Sequence, residues 1–261
     1  MKTLTIIVPT YNEADNIFKL CNELEKYLAD IPYHILFVDD SVDNTPDIIK
    51  SLMEVNSKVQ LHHRENEKGL ATAVLKGFEL AQGDYIAVMD ADLQHPPHIL
   101  RDMYVAIAIG EADICIPSRF IPGGNDGGLN LYRSIVSGTA RYIGKIILPC
   151  LRRLSDPTSG LFMFKRTILQ DANEMKPIGW KIMIEVLATC TFDKIIEIPY
   201  SFQNRTAGES KLSSKVTMQY IKQIFDLKKR GKSQKHILVE RWSLPELAAQ
   251  KEIFKNTIHS S

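Results

Sequence analysis

Short β-branched runs alternate with segments whose apolar residues recur every three or four positions, and this alternation constrains the fold more than any other feature. Leu4-Thr5-Ile6-Ile7-Val8 runs into Pro9, and Ile17, Leu20, Cys21, Leu24, Tyr27 and Leu28 follow at helical spacing behind a start signal at Glu13-Ala14-Asp15-Asn16. The strand pattern returns at His34–Val38, Val59–His62, Tyr85–Met89 and Asp113–Ile116, with helical segments through Ile48–Leu52, Leu70–Ala81 and Ile99–Ile109. Strands this short and this apolar belong in a sheet covered on both faces, and helices between them supply parallel crossovers. The expected class is therefore α/β, a single domain built on a mostly parallel sheet. Further along, Leu161–Phe164 and Ile195–Ile198 read as strands. Residues 129–150, Ile182–Ala188, Val216–Leu227 and Pro245–Ile253 read as helices, and Gly123–Gly128 as a flexible loop.

Length and composition support one large domain: 261 residues, 44% hydrophobic and 24% charged. No run of 18 apolar residues occurs, so no membrane-spanning helix is expected, and the N-terminus does not read as a signal peptide. Cys21, Cys115, Cys150 and Cys190 form no C-x-x-C pair, and are expected to be reduced thiols of a cytoplasmic protein. Residues 1–140 carry 11 Lys/Arg against 20 Asp/Glu, while 141–261 carry 21 against 11. An acidic half and a basic half point to a metal-binding end and an anion- or membrane-facing end.

Ligands of open α/β sheets collect beyond the C-terminal ends of the strands. Four strand ends are polar there: Pro9-Thr10-Tyr11-Asn12-Glu13, Asp39-Asp40, Asp90-Ala91-Asp92 and Ser118-Arg119. Neither G-x-G-x-x-G after the first strand nor G-x-x-x-x-G-K-[ST] is present, which argues against a dinucleotide site and a P-loop. Asp90 and Asp92 are the sharpest feature, since two carboxylates around one turn call for a cation. Oxygen ligands favour Mg²⁺ or Mn²⁺, commonly shared with a substrate's phosphates. His62-His63-Arg64 closes a strand and is given no metal role, and His95 is expected to order the Pro96-Pro97 turn.

Val8-Pro9-Thr10-Tyr11-Asn12-Glu13, Val38-Asp39-Asp40-Ser41, Lys68-Gly69-Leu70-Ala71-Thr72-Ala73 and Met89-Asp90-Ala91-Asp92-Leu93-Gln94-His95-Pro96-Pro97 occur in that order. Together they resemble the family 2 glycosyltransferases with the nucleotide-sugar-binding A-type fold. Ser118-Arg119-Phe120, Asp156-Pro157-Thr158-Ser159-Gly160, Gly179-Trp180-Lys181 and Arg205-Thr206-Ala207-Gly208-Glu209-Ser210-Lys211-Leu212 narrow the likeness to the dolichyl- or polyprenyl-phosphate mannosyltransferases. The resemblance covers residues 3 to 215. It implies that Pro9, Tyr11 and Glu13 hold the nucleoside, with Val38 and Asp40, rather than Asp39, beside the base. It assigns Asp90, Ala91, Asp92 and Gln94 to the donor phosphates, with Asp90, Asp92 and Gln94 on a Mg²⁺ or Mn²⁺ ion. It makes Arg119, Arg133, Arg205 and Lys211 the cations that hold the donor diphosphate or the acceptor phosphate. With Asp92, these form the expected catalytic set.

The implied activity is an inverting transfer of mannose from GDP-mannose to a polyprenyl phosphate; a UDP-sugar such as UDP-glucose is the alternative donor. A phosphate monoester, with its second pKa about 6, is already an anion and needs no general base, so positioning and charge stabilisation carry the reaction. Nucleic acid is not an expected partner. Residues 1–215 would form the catalytic domain. Residues 216–261 would form an amphipathic, basic helical tail, peripheral on the cytoplasmic face of a membrane or docked on a membrane protein. A phosphohydrolase with an Asp nucleophile would leave the first two polar strand ends unexplained. A non-catalytic binding subunit would have no need of the full acidic and basic set.

Overall fold

β-Branched residues suit a pleated surface buried on both sides, and the first two such runs form adjacent interior strands of the sheet. The computed structural model describes residues 1–127, 142–203, 214–232 and 236–259. β1 (Leu4–Thr10) pairs in parallel with β2 (Tyr33–Asp39), Leu4 opposite Tyr33 and Thr10 opposite Asp39. β3 (Val59–His63), β4 (Tyr85–Val88), β5 (Ile114–Ser118), β6 (Phe162–Lys165), β7 (Lys194–Pro199) and β8 (Leu238–Arg241) complete one sheet, ordered β3-β2-β1-β4-β6-β5-β7-β8. Strand order runs outward one way from β1 through β2 and β3, and the other way from β4. The β1/β4 junction is thus a topological switch point, where a crevice opens beyond the strand ends.

Alternation along each strand divides the core into two layers. Leu4, Ile6 and Val8 of β1 pack with α1 (Ala14–Tyr27), α2 (Thr45–Val55), α4 (Ile99–Ala108) and α8 (Leu244–His259). Ile7, Leu36 and Val38 point to the other face, against α3 (Leu70–Leu80), α6 (Ile182–Thr189) and α7 (Ser214–Arg230). Each fully buried aliphatic side chain contributes about 1.5–3 kcal/mol of transfer free energy, so the two layers hold the strand ends in fixed relation. The four cysteines are free thiols, and burial pushes Cys21, Cys150 and Cys190 up to about 12.

Several elements differ from the sequence reading. β6 is antiparallel to both neighbours, Phe162 facing Val88 and Met163 facing Cys115. A buried apolar run has no periodic mark of its direction. β8 has no counterpart in the sequence pattern; Leu238-Val239-Glu240-Arg241 is a short edge strand with little apolar pattern. The helix expected over 129–150 is described only as α5 (142–147), followed by a 3-10 turn at Pro149–Leu151; residues 128–141 lie outside the described residues. The loop expected to be flexible at Gly123–Gly128 is pinned at Asn125, whose N–H donates to Tyr200 O (3.0 Å) and whose carbonyl accepts from Phe202 N (2.8 Å).

The apolar stripe of α7 also turns inward. Tyr220, Ile224 and Leu227 are buried in the core, and Arg230 pairs with Asp226 and Glu185. Residues 216–261 supply α7, β8 and α8 to the same sheet-centred body, with Phe254 of α8 edge-on to Tyr104 of α4. No described helix is long and apolar enough to cross a membrane.

Candidate active site

The loop after β1 and the loop after β2 are stitched together by their own polar residues. Asn12 takes a left-handed backbone (φ 58), which asparagine tolerates better than branched residues. Its N–H donates to Ser41 Oγ (2.8 Å), and its Oδ1 accepts from Val42 N (3.1 Å). Glu13 N donates to Thr45 Oγ1 (3.0 Å), while Asn16 Nδ2 donates to Glu13 Oε2 (2.7 Å). These bonds fix the loop that carries Tyr11, which is 42% exposed. Asp39 is fully buried, accepting from Thr10 Oγ1 (2.6 Å) and Ser41 Oγ (2.5 Å), with His63 Nδ1 at 2.7 Å from its other oxygen. Asp39 therefore braces the two loops. Asp40 lies beside it and pairs in two-point fashion with Arg64.

Across the switch point, β4 runs out into Asp90-Ala91-Asp92. Ala91 is buried while both aspartates are half-buried, so the turn tucks in the methyl group and presents the carboxylates. Leu93, a branched residue at φ 59, holds the turn in a strained left-handed conformation. Gln94 N donates to Asp92 Oδ1 (3.1 Å), and Gln94 O accepts from Gln203 N (2.9 Å). Gly160 packs beside Asp90: a Cβ built there would lie 3.3 Å from Asp90 Oδ2 and 3.4 Å from His95 Nε2. His95 is buried, stacks on Tyr200 and has Nδ1 3.2 Å from its hydroxyl. Burial, reinforced by Arg119 and Lys181, pushes its imidazole down to about 3, so His95 is neutral at pH 7.

A cluster of paired charges lies behind this turn. Arg119, just past β5, donates from Nε to Asp156 Oδ2 (2.7 Å) and from Nη2 to Asp156 Oδ1 (2.9 Å), with its guanidinium over Phe120 and Phe202. Burial works against the Arg119 charge, but Asp156 more than offsets it and raises its pKa. Lys181 donates to Thr158 O (2.7 Å). Burial and Arg119 lower the Lys181 pKa, while the charges of Asp156 and Asp90 oppose that shift. The turn carrying Asp156 is backed by the buried Glu197, whose Oε1 accepts from Ser155 N (2.7 Å) and Ser155 Oγ (2.7 Å) and whose Oε2 accepts from Arg241 Nε of β8 (3.0 Å).

The structure thus places Pro9, Tyr11, Glu13, Val38 and Asp40 at one side of the switch point. Asp90, Ala91, Asp92, Gln94 and Arg119 lie at the other. Arg133, Arg205 and Lys211 lie outside the described residues; Gln203, which precedes two of them in sequence, is bonded to Gln94. Arg64, Asp156 and Lys181 join the site although the sequence pattern assigns them no role. One signal is available for Lys181, which stands at the N-cap position of α6, where a cation is electrostatically disfavoured, and makes no capping bond there.

The residues fit a Mg²⁺ or Mn²⁺ ion in part. Asp90, Asp92 and Gln94 offer hard oxygen donors, and the bare α-carbon of Gly160 leaves room at Asp90 Oδ2. Among the described residues no three His, Cys, Asp or Glu side chains converge into a complete cage. Such a set suits an ion that keeps one or two carboxylates and takes its remaining ligands from phosphates and water.

Residues 5–172 match the model of glycosyl transferase family 2. A dolichol-phosphate mannosyltransferase of Pyrococcus furiosus is 39% identical over 228 residues, 87% of this chain and 64% of that longer protein. One from Saccharomyces cerevisiae is 35% identical over 254 residues, 92% of this chain and 93% of the relative. One from Mycosarcoma maydis is 32% identical, over 85% of this chain and 78% of the relative. Among solved structures, mannosyl-3-phosphoglycerate synthase from Rubrobacter xylanophilus superposes with a TM-score of 0.67 at 19% identity, over 90% of this chain and 77% of that one. Glucosyl-3-phosphoglycerate synthase from Mycobacterium tuberculosis, solved with Mn²⁺, UDP and glucosyl-3-phosphoglycerate, superposes at 0.66 and 17% identity, over 95% and 91%. At those identities the two structures speak for the fold. On the matched segment and the relatives that parallel most of its length, the chain belongs to glycosyl transferase family 2.

Proposed function

We propose that this chain transfers a mannosyl group from GDP-mannose to a polyprenyl monophosphate, in a reaction that depends on Mg²⁺ or Mn²⁺ and inverts the anomeric carbon. The observation that carries the reading is the Asp90-Ala91-Asp92 turn at the switch point, set against the Arg119–Asp156–Lys181 cluster built around the buried Asp156. The names of the three relatives support the lipid-phosphate acceptor and the mannosyl group. The nucleoside would lie along Pro9, Tyr11, Glu13, Val38 and Asp40. Asp90, Asp92 and Gln94 would hold the ion, which neutralises the departing diphosphate when bound. Arg119, with Arg133, Arg205 and Lys211, would bring the two anions together. The acceptor phosphate attacks from the face opposite the leaving group, so these residues position reactants and stabilise charge without abstracting a proton. Burial weakens His95 as a proton acceptor and its Nδ1 lies against the Tyr200 hydroxyl, which fits a reaction without a general base.

A basic surface beside the site supports contact with an anionic leaflet. A groove of about 580 Å³ near Phe120 is lined by Lys145, Arg152, Arg153 and Arg241. Tyr142 and Ile146, one turn apart on α5, are exposed, as are Met218 and Phe225 of α7. UDP-glucose remains a second donor reading, favoured by the UDP in a structural neighbour. Purified protein assayed with Mg²⁺ or Mn²⁺, a panel of GDP- and UDP-sugars and undecaprenyl or dolichyl phosphate tests the proposal. Mannolipid should form from GDP-mannose, and Asp92→Asn should lower the rate at least about a hundredfold while the fold persists. Absence of lipid-linked sugar with every donor would refute it.

A further inference from the structure

A cation at the end of an edge strand ordinarily reaches for water, yet the Arg64 side chain is 4% exposed. Its Nε donates to Asp40 Oδ1 (2.7 Å) and its Nη2 to Asp40 Oδ2 (2.6 Å), the two-point fit of guanidinium to carboxylate. Nη2 also donates to Gly69 O (3.1 Å), and Nη1 to Thr72 Oγ1 (3.0 Å) and Glu67 Oε2 (3.1 Å). Gly69 N gives Asp40 Oδ2 a second bond (2.9 Å), from a backbone at φ 138 that a side chain would strain. Burying such a pair adds little net stability, because removing both charges from water offsets their attraction. What the arrangement does fix is direction.

Each carboxylate oxygen has two acceptor positions. Those of Asp40 Oδ2 are filled by Arg64 and Gly69, whereas Oδ1 accepts from Arg64 Nε alone among the described residues. One acceptor position of Asp40 is left, and Arg64 aims it. We propose that Arg64 is a positioning residue for selection of the donor base, locking Asp40 so that its remaining lone pair receives a ring N–H. The inference rests on the reading above that Asp40 faces the base. Guanine (N1–H) and uracil (N3–H) carry such a proton at that edge, whereas adenine and cytosine present a ring-nitrogen lone pair. The pairing therefore selects bases by class and rejects adenine and cytosine through lone-pair repulsion.

Calorimetric titration of the full chain with Mg²⁺ and, separately, GDP, UDP, ADP and inorganic pyrophosphate tests this in wild type, Arg64→Lys, Arg64→Met and Asp40→Asn. Wild type should bind GDP or UDP at least about tenfold more tightly than ADP, the order of one charge-assisted hydrogen bond. Both Arg64 variants should lose most of that ratio and keep pyrophosphate affinity within about twofold, since the diphosphate end is untouched. Arg64→Lys keeps the charge and stem, so it reports even if Arg64→Met fails to fold. A retained ratio in a folded Arg64 variant, or equal losses for nucleotide and pyrophosphate, overturns the proposal. If Asp40→Asn still costs tenfold in that case, the base reading stands and only the role of Arg64 falls. If Asp40→Asn changes nothing, both fall.

Discussion

Replacing Arg119 by methionine removes one half of a buried ion pair and leaves the other. Asp156 is fully buried and the Arg119 side chain is 11% exposed, so water cannot take over the lost bonds. Asp156 would keep Thr158 Oγ1 at 3.4 Å and the more distant charge of Lys181. Stranding a buried charge in this way costs about 3–5 kcal/mol. At about 2–4 °C per kcal/mol for a chain of this size, Tm should fall by about 6–20 °C. The double variant Arg119→Met/Asp156→Leu removes both desolvation penalties and should return to within about 1 kcal/mol of wild type. Urea unfolding of the wild type, both single variants and the double variant measures the coupling directly. The stable double variant should still fail in transfer, because the guanidinium is gone, and that separates the fold from the chemistry. An Arg119→Met loss below about 1 kcal/mol, or single losses that simply add in the double variant, would show that the pair is not the buried, mutually dependent unit described here.

Two further outcomes follow from the geometry around Asp90. His95 titrates near 6.5 when unfolded and near 3 when buried, so the unfolded chain binds the extra proton. Its contribution is complete above about pH 6.5 and is lost toward pH 3 at about 1.4 kcal/mol per pH unit. Urea midpoints of wild type should therefore fall more steeply between pH 6 and 5 than those of His95→Gln, and parallel profiles would exclude this source. In Gly160→Ala the new Cβ meets Asp90 Oδ2 at 3.3 Å and His95 Nε2 at 3.4 Å. Mn²⁺ binding in the presence of nucleoside diphosphate should weaken by about tenfold, with Tm nearly unchanged. Unaltered Mn²⁺ affinity by calorimetry would contradict the placement of the ion beside that oxygen.

Features written into neighbouring residues were legible in the sequence. The β-branched runs that became β1, β2 and β4, and the acidic turn at the end of β4, need only period and position to be seen. Features made by distant pairing were not. Nothing near Arg64 announces that its partner stands 24 residues earlier, nor does Asp156 announce Arg119, 37 residues away. The direction of β6 escaped for a related reason: Phe162-Met163-Phe164 is equally apolar whichever way it runs. The amphipathic stripe of α7 was visible, but periodicity does not say whether a stripe meets a lipid or its own core, and Tyr220, Ile224 and Leu227 meet the core.

The contact from Arg241 through Glu197 to Ser155 gives the outermost strand a say in the geometry of the cleft. Side chains alternate along a strand, so a one-residue slip of β8 against β7 would carry Arg241 to the opposite face of the sheet. Glu197 would then hold its charge without a counterion beneath the very turn that orients Asp156 and, through it, Arg119. Ending the chain at residue 215 would remove that counterion together with the buried Tyr220, Ile224, Leu227, Leu247 and Phe254, so a version cut there is expected to lose core packing on both faces of the sheet as well as the support beneath Asp156.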